Sequence, residues 1–234
     1  MSALEMKQVE MSRRVMVALD VNDKAQALAI RDKLGDSVGW FKVGLRLFVA
    51  EGPDLIADLS RTHQVFLDLK FHDIPNTVAQ AIESAGNLGV NMVNVHAGGG
   101  KAMLEAASGA VQAFPDMLLI AVTVLTSDTM PKAQALEVAL ERAKMAKDAG
   151  LHGVVCSVHE AAQIKEVCGA DFITVTPGIR WGNQDTQDQQ RIADPQMAIE
   201  HGSDYLVIGR PILHAENPVH AANEAVHMME QASY

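Results

Sequence analysis

The stretch Val65-Phe66-Leu67-Asp68-Leu69-Lys70-Phe71-His72-Asp73-Ile74-Pro75-Asn76-Thr77 runs from an apolar strand pattern, through a charged tip, into a helical pattern. Side chains alternate along a strand, so Asp68 and Lys70 are expected on one face, and Leu67 and Leu69 on the other. The apolar face can pack beneath a helix. The charged face must line something else, because an unpaired buried ion costs several kcal/mol or shifts its pKa. A structural ion pair would produce the same bare pattern, but a crowd of opposite charges at a strand tip points to chemistry.

The same alternation of strand and helix recurs outward in both directions. Short β-branched runs occupy residues 15–20, 41–44, 65–70, 92–96, 118–126, 153–157, 172–177 and 205–209. Amphipathic segments fill 24–34, 45–62, 76–88, 101–113, 133–149, 160–167, 195–201 and 218–231. Strands alternating with helices imply parallel pairing through right-handed crossovers. Eight such units fit a single-domain (β/α)8 TIM barrel of the α/β class, which typically takes about 250 residues. An open doubly wound sheet would place a glycine-rich turn after its first strand, whereas Asp20-Val21-Asn22-Asp23 stands there. Residues 13–234 are therefore expected to form the catalytic barrel. Residues 1–12 are expected to be a disordered leader, and Met11 offers an alternative start that would make 1–10 dispensable.

With 234 residues, 48% of them hydrophobic, the chain can bury a large core. A formal charge of −10 and a pI near 5.3 argue against nucleic acid or an anionic membrane surface as partners. The longest apolar stretch, 117–125, contains Thr123 and is far short of the roughly 20 residues that a spanning helix needs. The first fourteen residues lack the continuous apolar core of a secretory signal. Two cysteines, Cys156 and Cys168, lie in or near apolar segments as core thiols, which suits a reducing, cytoplasmic setting.

Barrel enzymes carry their reacting groups where strands end and βα loops begin. Here those ends hold Asp20, Lys42, Asp68 with Lys70, Asn94 with His96, Thr126, Ser157, Thr176 with Arg180, and Arg210. Asp20, Lys42, Asp68 and Lys70 come from the first three strands and are expected to form an alternating network of near-zero net charge. Such a network stays ionised when dehydrated. It can stabilise a carbanion beside an ammonium, and that ammonium can deliver the proton.

The last two strands end in Thr176-Pro177-Gly178-Ile179-Arg180 and Ile208-Gly209-Arg210-Pro211. Glycine lets backbone N–H groups approach an oxyanion, and arginine meets phosphate with forked hydrogen bonds. Loops after strands seven and eight often build a barrel's phosphate site. The polar stretch 181–190 between them is long enough for a lid. No His/Asp/Glu spacing makes a metal set, so no metal is expected. Ser157 and Thr126 have no general base at a suitable spacing, which argues against nucleophilic catalysis.

Together these motifs resemble the orotidine 5′-phosphate decarboxylase family over nearly the whole chain, from Val15 to Met229. The resemblance rests on Ala18-Leu19-Asp20, Lys42-Val43-Gly44, residues 68–77, Val95-His96-Ala97, Leu125-Thr126-Ser127, Pro177-Gly178-Ile179-Arg180 and Ile208-Gly209-Arg210. It implies decarboxylation of orotidine 5′-phosphate to uridine 5′-phosphate without metal or organic cofactor, with Lys70 protonating C6 of the pyrimidine and Asp68 facing the departing carboxylate. It assigns Asp20 and Lys42 to the ribose hydroxyls and the charge network, and Thr126 and Ser157 to the pyrimidine edge. Pro177 belongs to the substrate-binding set, while Gln189, Arg180, Gly209 and Arg210 would grip phosphate. The Gln-rich stretch also permits Gln187 or Gln190 in place of Gln189. Asp73 and Thr77 would reach into the partner's site in a homodimer. The competing resemblance is to metal-dependent sugar-phosphate lyases of the hexulose-6-phosphate synthase type. These share Asp-x-Lys-x-x-Asp but place a glutamate, as a magnesium ligand, where Lys42 stands.

Overall fold

A computed structural model describes residues 3–125, 129–182 and 193–232. Eight parallel strands close into a barrel in sequence order: β1 (Val15–Ala18), β2 (Trp40–Gly44), β3 (Gln64–Phe71), β4 (Met92–His96), β5 (Leu118–Val122), β6 (Gly153–Val155), β7 (Ile173–Thr176) and β8 (Tyr205–Ile208). Between and around them lie α1 (Ala3–Ser12), α2 (Lys24–Leu34), α3 (Leu45–Glu51), α4 (Pro53–Leu59), α5 (Pro75–Asn87), α6 (Lys101–Val111), α7 (Lys132–Asp148), α8 (Val158–Cys168), α9 (Pro195–Glu200), α10 (Arg210–Leu213) and α11 (Pro218–Glu230). This is the (β/α)8 architecture read from the sequence.

Two local expectations change. The helix expected over 45–62 is two helices, α3 and α4, because Pro53 has no N–H to continue the first and instead opens the second. The leader expected to be disordered over 1–12 contains α1, which packs against α11. Met11 is buried in the core, and Lys7 Nζ donates to the carbonyl of Glu230 at 2.7 Å. Those contacts offset the entropy of ordering a segment that has little amphipathic pattern of its own.

Burial separates the core into two regions. Val15, Val17, Phe41, Val43, Val65 and Leu67 belong to a cluster that packs the sheet against the helices. Met16, Trp40, Phe66, Met92, Ile120, Val175 and Val207 form a second cluster inside the barrel. Trp40 and Tyr205 meet edge to face there, with centroids 5.5 Å apart. The period of two then decides what lies above this plug. Two residues beyond Trp40, Phe66, Met92 and Ile120 come Lys42, Asp68, Asn94 and Val122. The apolar plug is therefore the floor of a polar layer.

Candidate active site

The polar layer floors a pocket of about 270 Å³ at the C-terminal end of the barrel. Ala18, Asp20, Lys42, Asp68 and Lys70 line one side, and Pro177, Gly178, Arg180, Gly209 and Arg210 line the other. Val122, Val124, Leu125, Val155 and Cys156 supply an apolar wall between them.

Asp68 is the hub. It is 8% exposed, and both carboxylate oxygens are occupied. Lys42 Nζ stands 3.0 Å from Oδ2 and Lys70 Nζ 2.5 Å from Oδ1. Asn94 Nδ2 donates to Oδ1 at 2.7 Å. Burial alone would push the carboxyl pKa up. The charges of Lys42 and Lys70, with hydrogen bonds from Lys70 and Asn94, outweigh burial and bring it down to about 2. Asp68 is thus a carboxylate at any physiological pH.

Lys70 reaches Asp68 through an irregular backbone. Leu67 pairs with Val93 and Phe71 with Val95, so β3 carries two residues more than β4 in this interval. Lys70 absorbs the excess at φ +53°, the sole positive φ among the described non-glycine residues. Such a conformation costs roughly 1–3 kcal/mol and survives only where its surroundings enforce it. The strict alternation expected for Asp68 and Lys70 therefore does not hold. A bulge, rather than the pleat, sets the ammonium beside the carboxylate.

The expected four-charge network is a triad, Lys42–Asp68–Lys70, with an excess positive charge. Asp20 lies beyond the end of β1, is exposed on the pocket wall, and makes no ion pair among the described residues. Its carboxylate faces Gly209, where a Cβ would stand in contact with Oδ2 at 3.4 Å. Across the pocket, Gly178 turns the chain after β7 at φ +84°, a conformation that favours glycine. Arg180 is 8% exposed, and its backbone N–H donates to Ala193 at 2.9 Å. Arg210 opens α10 at the pocket rim. The two arginines expected from different strand ends therefore share one pocket with the lysine pair.

Other expected residues fall elsewhere. Ser157 caps α8: its Oγ accepts from the His159 N–H at 3.2 Å, and its own N–H donates to Glu160 at 2.9 Å. Asp73 and Thr77 are exposed, and neither lines this pocket. Asp73 Oδ1 accepts the Ile74 N–H at 2.7 Å. Thr126 and Gln189, with the alternatives Gln187 and Gln190, lie outside the described residues, as does most of the stretch 181–190. Cys156 and Cys168 are buried free thiols, and burial pushes both of their pKa values up. Among the described residues, no three His, Cys, Asp or Glu side chains are grouped to hold a metal ion. No described helix is long and apolar enough to cross a membrane.

Sequence reasoning placed Asn94 at a strand end but gave it no role. The available signal was its phase. Asn94 follows Met92 by two residues, as Asp68 follows Phe66 and Lys42 follows Trp40.

Fold and pocket define a (β/α)8-barrel protein with a lysine–aspartate–lysine centre and an arginine-bearing rim. Residues 13–225 match the sequence profile of the Orotidine 5′-phosphate decarboxylase / HUMPS family, and the chain belongs to that family. It is 47% identical to an orotidine 5′-phosphate decarboxylase of Carboxydothermus hydrogenoformans, covering 94% of this chain and 97% of the relative. It is 50% identical to one of Psychromonas ingrahamii, covering 88% and 92%. The crystal structure of orotidine 5′-phosphate decarboxylase from Lactobacillus acidophilus superposes with a TM-score of 0.81 at 40% identity, covering 94% of this chain and all of the other.

Proposed function

We propose that the chain decarboxylates orotidine 5′-phosphate to uridine 5′-phosphate and carbon dioxide, as a step of pyrimidine nucleotide synthesis. The observation that carries this reading is the Lys42–Asp68–Lys70 triad on the floor of a pocket whose far side bears Arg180 and Arg210. Breaking the bond from C6 to the carboxylate leaves an electron pair on C6, in an orbital with no π system to accept it. Enzymes lower barriers by as much as about 23 kcal/mol, and this reaction belongs toward that end. The Lys70 ammonium, already placed when substrate arrives, stabilises the developing negative charge and then transfers its proton to C6. The resulting neutral amine regains a proton from solvent.

Asp68 faces the departing carboxylate, and loss of carbon dioxide relieves their repulsion. Its depressed pKa keeps it charged for that role. Asp20 and Lys42 hold the ribose hydroxyls, while Gly209, Arg180 and Arg210 hold the phosphate. Phosphate binding lies away from the reacting carbon, so its energy contributes to closing the site as well as to affinity.

A homodimer completes the site, with Asp73 and Thr77 reaching the partner's pocket. Their exposure away from their own pocket supports this. So do the exposed apolar side chains on neighbouring βα segments: Leu45 at 55%, Val49 at 81% and Ile74 at 65%. Two buried free thiols suit work in the cytoplasm.

The test is loss of the ultraviolet absorbance of orotidine 5′-phosphate on adding EDTA-treated protein. Turnover unaffected by chelation is the expected result. An inert nucleotide, together with magnesium-dependent cleavage of a hexulose phosphate, would favour the lyase reading. Lys42 already argues against that reading, because its ammonium sits 3.0 Å from Asp68 where such a lyase needs a carboxylate ligand.

A further inference from the structure

Asn94 is fully buried beside the Lys70–Asp68 pair. Its Oδ1 accepts the backbone N–H of Lys70 at 2.8 Å, and its Nδ2 donates to Asp68 Oδ1 at 2.7 Å. The first bond holds the one described non-glycine residue with a left-handed backbone. The second holds the carboxylate that Lys70 Nζ contacts. One amide therefore fixes both ends of the Lys70–Asp68 pair from the neighbouring strand, across the interval where β3 and β4 lose register.

We propose that Asn94 is the positioning residue of the reaction: it staples the β3 bulge, and so sets where the Lys70 ammonium stands. This rests on the decarboxylase reading for its kinetic consequences, though not for its structural ones. Without the staple, the Lys70 N–H is left unsatisfied, and only the Phe71–Val95 pairing beyond it still ties the strained residue to β4. The ammonium then shifts, and a misplacement of about 1 Å costs on the order of a hundredfold in rate.

Two substitutions separate this role from simple core filling. Asn94→Leu keeps the branching at Cγ, with somewhat more bulk, and removes both bonds. Asn94→Asp keeps the shape and the acceptor, but donates to Asp68 only when its new carboxyl is protonated. The charged and titratable groups nearby are Asp20 after β1, Lys42 from β2, Asp68 and Lys70 from β3, and His96 further along β4; β5 presents Ile120 opposite Asn94. Two carboxylates in contact cannot both ionise readily, so the introduced group takes up a proton as pH falls and then reproduces the amide's two bonds.

The experiment measures kcat and KM for orotidine 5′-phosphate across pH for both variants and the parent, together with a crystal structure of Asn94→Leu. The expected result is a kcat about a hundredfold lower for Asn94→Leu, with KM changing far less. Asn94→Asp should recover activity toward acid pH relative to Asn94→Leu, and Lys70 should leave the left-handed region in the crystal. A kcat for Asn94→Leu close to the parent's, a loss confined to KM, or equal pH profiles for the two variants would overturn the staple. Should Asn94→Leu not fold, the ratio of the kcat of Asn94→Asp to the parent's still decides: it should rise toward acid pH, and a ratio independent of pH would overturn the staple. If the parent itself leaves orotidine 5′-phosphate untouched, the decarboxylase reading fails, while the Lys70 φ in Asn94→Leu still tests the staple.

Discussion

Lys70 Nζ stands 2.5 Å from Asp68 Oδ1, two residues away on the same strand, with the Lys70 backbone at φ +53°. A regular strand would send both side chains to one face about two residue rises apart, and would leave their contact to chance. Here a bulge fixes it. Lys42 takes the other oxygen at 3.0 Å, so one carboxylate orders two ammoniums.

The Asp68 pKa, about 2 against an ordinary 3.8, carries a stability consequence. A depressed folded-state pKa contributes stability that is complete above the unfolded value and is lost as pH falls through the folded one. The shift corresponds to about 2 kcal/mol. Asp68→Asn should therefore be less stable than the parent near neutral pH, and that gap should shrink by about 2 kcal/mol between the two pKa values. Urea unfolding across this acid window measures it. A gap independent of pH would mean that Asp68 is not held ionised by its lysines.

Arg210→Ala should reduce decarboxylation strongly, because Arg180 and Arg210 share the far side of the pocket. Added phosphite dianion should accelerate the parent's reaction of a substrate truncated to lack phosphate, if phosphate binding contributes to closure as proposed. Equal rates with and without phosphite would remove that coupling.

Lys70→Ala and Asp73→Asn, each inactive alone, should restore activity when mixed. In a C2 dimer, one site of each mixed pair keeps both residues, which gives up to about one quarter of the parent's sites. Mixed subunits that exchange but stay inactive would show that Asp73 does not act across an interface.

The barrel was legible because parallel strands buried on both faces read as short apolar runs, and Val15, Phe41, Val65 and Met92 each open or enter one. The charged residues that line the pocket were legible by type and strand end. Their pairing was not. Lys70 carries no sequence mark of a positive φ, which glycine would have given, so the bulge stayed hidden. Asp20 reads as a network member by sequence position alone, but it sits past the end of β1, where the chain has left the barrel wall. Ser157 reads as a polar strand-end residue, yet Glu160 three positions on is the partner of a capping box. That signal was present in the sequence, as was Pro53 within the long helix expected over 45–62.

The central claim is that Lys70 supplies the proton to C6, and the most direct test is the rate of orotidine 5′-phosphate decarboxylation by Lys70→Ala beside the parent protein. The account predicts a parent that consumes the nucleotide and a variant, folded by the same spectroscopic criteria, whose turnover is abolished. A variant that decarboxylates within about tenfold of the parent, a difference of only about 1.4 kcal/mol in the barrier, would contradict it.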